Sequence, residues 1–167
     1  MNSAYHRQVA SPSELGNSTS RQLRNVSSML VIPVGSTGQH GPHLPRDTDT
    51  RIASAVAGAA VERLDGVAGS NWILAPAIRY GAEHEGLAGT VSIGAEAVRL
   101  SLVAYGRSAM SWVSRLVFVN GHRGNATVLA AATGLLRSEG ERIFAEMVNG
   151  CTGRIRRWRP DRNGMLT

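Results

Sequence analysis

The chain has 167 residues, 43% of them hydrophobic and 18% charged, with a net charge of +6 and a single cysteine. These values fit one globular domain with enough chain to bury a core, and they exclude a disordered chain and an intramolecular disulfide. No apolar run is long enough to span a bilayer, and the polar N-terminus lacks the apolar core of a signal peptide, so a cytoplasmic protein is expected. All 18 cationic residues are arginine. Five of them (Arg154, Arg156, Arg157, Arg159 and Arg162) follow Gly150 against one acid, Asp161. Such a short run, with only Trp158 as an interleaved aromatic, reads first as a solvated or partner-facing end; nucleic-acid binding is the lesser alternative.

In chain order, residues 1–28 are Ser- and Asn-rich and read as a loose arm with at most one short helix. Residues 29–34, "MLVIPV", form a continuous apolar run, the mark of a strand buried on both faces. Pro33 cannot donate to a ladder, so pairing should fail on one side there. Residues 51–64 carry helical spacing at Ile52, Val56, Ala60 and Leu64, with Asp49 or Thr50 as a candidate cap. Residues 72–78, "WILAPAI", form a second strand candidate, followed by a loop and a short "TVSI". Residues 95–113 read as a helix with Leu100, Val103, Ala104 and Met110 on one face. A strand over 115–119 and a Gly-rich turn, "NGHRGN", come next. Residues 126–137 read as a helix, and 139–158 as another, interrupted near Gly150 and Gly153. Strands alternating with helices define an α/β domain with a mainly parallel sheet.

The histidines follow the strands. His40 and His43 come after the strand ending at Val34, His84 after the one ending at Ile78, and His122 after the one ending at Val119. Ligand sites of parallel α/β sheets form beyond the carboxyl ends of the strands, so these loops should converge. Converging imidazoles and carboxylates suit Zn, Mn or Fe, and a carboxylate such as Asp49 can bridge two ions that activate a water for hydrolysis. The alternative for any single one is a loop histidine making local hydrogen bonds. No serine has a base at diagnostic spacing. Cys151 is far in sequence from every histidine, which argues against a Cys–His nucleophile.

Three stretches, "VIPVGSTGQHGPHLPRDTDT", "APAIRYGAEHEGLAGTVSIG" and "LVFVNGHRGN", resemble the creatininase (creatinine amidohydrolase) superfamily in order and spacing. The resemblance implies a single domain over 1–167, a three-layer fold with a mainly parallel sheet flanked by helices, and metal-dependent hydrolysis of C–N amide bonds, here of a small peptide. It implies His40, Asp49 and His122 as ligands of a divalent metal (Zn, Fe or Mn), one or two ions in intact relatives and held weakly or not at all here. His43, His84, Asn120 and Asn125 are candidate substrate-binding residues; no catalytic residue is assigned. A homo-oligomer is compatible with the resemblance.

Four departures stand out. Gly38 occupies the place of a family glutamate ligand. Arg123 replaces a glycine after His122 and would repel a dication. The loop carrying Glu83 and His84 is shorter than the family's. A later family segment resembling "HAGxTET", with another glutamate ligand, has no counterpart, which implies an internal deletion near 139–141 and an incomplete C-terminal part. A catalytically impaired or dead family remnant is therefore the alternative to an active hydrolase.

Overall fold

A computed structural model describes residues 14–24, 27–64, 71–83 and 86–148. After a 3₁₀ turn at Leu15–Asn17, the elements are α1 (Ser20–Leu23), β1 (Ser28–Val34), α2 (Thr48–Leu64), β2 (Asn71–Leu74), α3 (Ala95–Met110), β3 (Arg115–Asn120), α4 (Ala126–Ser138) and β4 (Ile143–Met147). The strands form one parallel sheet in the order β2-β1-β3-β4. Two helical layers cover it. Against one face α2 packs Ala57 and Val61 on Val31 and Val119. Against the other, α3 and α4 contribute Val98, Leu102, Leu129 and Leu136 to a larger core with Leu30, Ile32, Leu116 and Phe118. Burial on both faces is why β1 and β3 read as unbroken apolar runs.

Pro33 behaves as its chemistry requires. The β1–β2 ladder stops at Val31 opposite Leu74, while β1–β3 continues to Val34 opposite Asn120. The proline therefore lies beyond the last β2 pair, where no donor is needed. The second strand is shorter than the 72–78 expected, because Pro76 interrupts it. The extended chain nevertheless stays attached: Ala75 N–H donates to the Val31 carbonyl at 2.8 Å and Ile78 N–H to the Pro33 carbonyl at 2.9 Å. "TVSI" makes one bridge, Val91 with Thr37, and no strand.

Four expectations need correction. The helix expected over 139–158 does not form over its described part, 139–148. Instead α4 ends in a turn in which Gly140 takes φ +90, and "IFAEM" becomes β4 beside β3; residues 149–167 lie outside the described ones. Left-handed backbone at a glycine just past a helix is a strong stop signal, and Ile143 supplies an apolar anchor that is 1% exposed. Asp49 and Thr50 do not cap α2, which starts at Thr48 and so places both in its first turn. The buried stripe of α2 is Asp49, Thr50, Ala53, Ala57 and Val61, one position on from the expected face, and Ile52 is 40% exposed. In α3 the buried residues are Val98, Leu102, Val103, Gly106 and Ala109, while Leu100 is exposed. In both helices small residues face inward, which lets the helix axis come close. A Cβ at Gly106 would lie 2.5 Å from Leu136 Cδ1 of α4.

Candidate metal centre

In the order β2-β1-β3-β4, β1 connects to β2 on one side while β3 lies on the other, so the chain direction switches between β1 and β3. The crevice beyond their carboxyl ends is the default ligand position of an open α/β sheet. Three segments close around it: the loop after Val34 with His40, the first turn of α2 with Asp49, and the turn after Asn120 with His122. They line one open cleft of about 960 Å³ together with Gly38, Glu83, Arg123, Gly124 and Met147.

Asp49 is the hub. Its Oδ1 lies 2.8 Å from His40 Nε2 and its Oδ2 lies 2.7 Å from His122 Nδ1. The outer nitrogen of each ring faces a backbone carbonyl: His40 Nδ1 is 3.1 Å from Gly38 O, and His122 Nε2 is 2.9 Å from Ala82 O. A ring whose outer N–H donates to a carbonyl turns its other nitrogen, as a lone pair, toward the carboxylate. At 2.7–2.8 Å each ring nitrogen and carboxylate oxygen share a proton; a dication at ~2.1 Å from both atoms would have to replace that proton and lie beside the line joining them. That pairing of an outer carbonyl with an inner carboxylate is the outer-shell arrangement of metal-binding histidines. Imidazole and carboxylate are donors of the right chemistry for a divalent cation, but among the described residues no three His, Cys, Asp or Glu side chains encircle one ion position.

The backbone makes these distances possible. Gly35 and Gly121 sit where a Cβ would strike Thr50 and the Asp49 carbonyl respectively, so both strand ends press directly on the first turn of α2. Asn125 ties the loops together, accepting from Ala82 N–H at 3.0 Å and donating to Gly35 O at 2.9 Å. Asn120 Oδ1 accepts from His122 N–H at 3.1 Å, and its amide nitrogen donates to His122 O at 2.8 Å. Both asparagines are fully engaged in holding the loops. His43 is exposed and does not line the cleft, and His84 lies outside the described residues. Arg123 lines the cleft but is exposed.

At Gly38 the structure has room for a side chain. A Cβ there would lie 3.5 Å from Ser36 Oγ and 3.8 Å from Thr90 Oγ1, both ordinary contacts. Thr90 Oγ1 is also the one buried side-chain polar atom among the described residues without a hydrogen-bond partner. An orphaned hydroxyl beside an unfilled space is what remains when a polar side chain is shortened to hydrogen.

Burial alone would raise the Asp49 carboxyl, but hydrogen bonds from His122 and His40 outweigh it and hold the group below its ordinary 3.8. The hydrogen bond to Asp49 raises His122 above its ordinary 6.5, against burial and with help from the Ala82 carbonyl. The stabilisation from His122 is complete below 6.5 and is lost as pH rises through its raised folded value. That from Asp49 is complete above 3.8 and is lost as pH falls through its lowered folded value. Thermal melts of chelator-treated protein are thus expected to peak between about pH 4 and 6.5 and to decline on both sides.

Imidazoles and carboxylates are thus gathered beyond the central strands of a parallel α/β sheet, where open α/β proteins place their ligand sites. The creatinine amidohydrolase family model matches residues 14–164, and the chain belongs to the creatininase family. It is similar to "Mycofactocin precursor peptide peptidase" of Mycolicibacterium smegmatis, at 45% identity over 247 residues covering all of both chains. It is 58% identical over 146 residues to the protein of the same name from Mycobacterium tuberculosis CDC 1551, covering 84% of this chain and 58% of that one. Among solved structures, creatinine amidohydrolase superposes with a TM-score of 0.70 at 23% identity, covering 81% of this chain and 57% of that one. A structure titled "Creatininase Mn" gives 0.69 at 23%, covering 81% and 58%. The chain thus spans a little over half the length of the tuberculosis relative and of these creatininases.

Glu83 had no assigned role in the sequence, and it proves to line the cleft. Its signal was local: an acidic residue beside His84 in the shortened loop. The structure adds that Glu83 takes φ +75, the one non-glycine residue with positive φ among those described.

Proposed function

We propose that this chain is a peptidase-type amidohydrolase whose cleft binds a divalent cation through His40, Asp49 and His122 and acts on amide bonds of a small peptide, as the names of its relatives suggest. The observation that carries it is the Asp49 carboxylate held between two imidazoles whose outer nitrogens are fixed on backbone carbonyls. A bound divalent cation supplies Lewis-acid activation of water and of the amide carbonyl. Asp49 orients both rings; the Gly38 and Ala82 carbonyls select which nitrogen of each faces inward. Arg123, at the cleft, is a pairing partner for a peptide carboxylate. The protein works in the cytoplasm.

A second reading, impaired turnover, is favoured by Gly38. Asp49 offers each oxygen one imidazole and no second side chain of the set, while structural or catalytic zinc takes three or four protein ligands. We further infer that the segment missing relative to the family was lost internally near residues 139–141. The smegmatis alignment runs over 247 residues against 167 in this chain, and β4 pairs directly after the turn that closes α4.

Both readings are tested together. The purified protein is loaded with Mn²⁺, bound metal is quantified, and cleavage of the mycofactocin precursor peptide is followed by mass spectrometry with the smegmatis relative as reference. Bound metal with cleavage supports the active enzyme; bound metal without cleavage supports the impaired one; no bound metal overturns the metal-centre assignment. Gly38→Glu is expected to tighten Mn²⁺ binding roughly tenfold, a typical effect of restoring one group at a metal site, without bringing turnover to the reference level. Full turnover in that variant would show that no necessary group was lost with the missing segment.

A further inference from the structure

We infer that the groove between α4 and the outer edge of β4 is a docking site for an extended peptide, which adds to β4 as a strand and runs from there into the cleft. The ladder defines which main-chain groups are on offer. Arg142 O accepts from Leu116 N–H at 3.1 Å and Val148 N–H donates to Asn120 O at 2.8 Å, so the even-numbered residues of β4 turn these groups toward β3. Those of Ile143, Ala145 and Met147 point to the other side, where an edge strand is unpaired. Arg137 closes one end of this edge. Its Nε donates to Ile143 O at 2.6 Å, and its guanidinium carbon lies 5.6 Å from the centre of the Phe144 ring. Among the described residues no hydrogen bond engages the main-chain groups that Ala145 and Met147 turn outward.

Two further observations select the occupant. The groove holds about 220 Å³ and is lined by Leu129, Ala130 and Thr133 of α4 with Ala145 and Met147 of β4. Small-molecule pockets run to about 300–1,000 Å³, so this one suits one or two apolar side chains of a longer ligand. Ala126 and Met147 line both the groove and the cleft, so a chain that passes Met147 arrives beside His122. Outward main-chain groups with a pocket for alternate side chains are what strand addition requires. A second copy of the chain fits less well. Arg137 blocks the edge at Ile143, and a ladder confined to Ala145 and Met147 is short for two subunits. It is long enough for about three residues of a peptide at ~3.3 Å per residue.

The role of this site rests on the peptidase reading of the cleft, but its test reads binding to metal-free protein. Labelled mycofactocin precursor peptide is titrated with the chelator-treated whole chain and followed by fluorescence anisotropy, with Mn²⁺ binding measured separately on each variant. Ala130→Phe, at an exposed position, should fill the groove and weaken peptide binding tenfold or more with the melting temperature unchanged. Ala145→Pro removes an N–H that the ladder does not use and should weaken binding at least about fivefold, the equivalent of one hydrogen bond of ~1 kcal/mol. Both should keep wild-type Mn²⁺ affinity, because neither residue lines the cleft. If the proline variant misfolds, a backbone N-methyl scan of the peptide decides: losses at every second residue support the added strand, and losses without that period overturn it. Wild-type peptide affinity in Ala130→Phe overturns the docking site whatever the Mn²⁺ result. Peptide affinity lost in the groove variants, with no Mn²⁺ bound by any protein, upholds the docking site and overturns the metal centre alone. A wild-type protein that takes up no peptide, its groove filled by its own residues 149–167 or by a second copy, overturns the docking site as well.

Discussion

Asp49→Asn is expected to weaken Mn²⁺ binding by at least about 100-fold and to lower the stability of the metal-free protein by about 2 kcal/mol at pH 6. The metal effect is large because Asp49 is the one carboxylate placed between His40 and His122, and both reach it within 2.8 Å. An amide keeps the shape, removes the charge and presents an N–H toward one of the two rings. The stability effect comes from burial. Asp49 is 8% exposed and His122 7% exposed, so an uncompensated charge between them is poorly solvated. Breaking a buried ion pair by removing one partner commonly costs about 3–5 kcal/mol. The loss here is smaller because an imidazole, unlike a guanidinium, can shed its proton. Urea unfolding with a chelator present checks it: at about 2 kcal/mol per M for a small protein, the midpoint should fall by about 1 M. Repeating the measurement at successively higher pH should shrink the difference as pH rises through the raised folded value of His122, where the ring loses the proton that Asp49 stabilises. An unchanged midpoint at pH 6 would mean that the carboxylate is not stabilised by the rings.

Gly35→Ala is expected to cost about 3 kcal/mol and to disable the site at a distance. The new Cβ would meet Thr50 Cα at 2.5 Å and its amide nitrogen at 2.6 Å, and it would also strike the Thr50 hydroxyl. These are backbone atoms of the first turn of α2, which cannot rotate away as a side-chain tip can. Overpacking of that kind costs about 1–3 kcal/mol and more where backbone must move. At about 2–4 °C per kcal/mol for a chain of this size, the melting temperature should drop by about 10 °C. The same displacement carries Asp49, the neighbour of Thr50, away from His40 and His122, so Mn²⁺ affinity should fall although no ligand was touched. Gly134→Ala is the control. That helical glycine of α4 has nothing within 4 Å of the added methyl, so the substitution should stabilise by about 0.5–1 kcal/mol and leave metal binding alone. Equal effects from both would show that the close approach of β1 to α2 is not what positions the site.

Much of the fold was legible because its signals are local. A β1 buried on both faces announces itself as "MLVIPV", and β3 as "RLVFV", with boundaries that the structure moves by one residue. The end of α2 at Leu64 and the start of α3 at Ala95 were legible too, but their other ends were each three residues off and their inward faces were not legible. Leu100 and Ile52 are large, apolar and exposed, while Ala53, Ala57 and Gly106 face the interior. Apolar size marks what a residue gains by burial, yet the sheet and α4 lie so close that only small groups fit. β4 was misread because "ERIFAEMV" suits a helix in isolation. It becomes a strand only because the turn at Gly140 delivers it to the open side of β3.

For the site, the sequence by itself offered the candidate ligands and their loops: His40, Asp49 and His122 each sit just beyond a strand or at the start of the helix that follows one. It also exposed the deficit at Gly38. Only the tertiary structure decided that Asp49 lies between the two rings, that His43 is exposed and does not line the cleft, and that Asn120 and Asn125 hold loops together. It alone brought Glu83 and the Ala82 carbonyl over Gly124. The reason is physical: residue type and local spacing fix what an atom can donate or accept, but distances between atoms 40 or 73 residues apart depend on how closely strands, helices and glycines let the backbone approach.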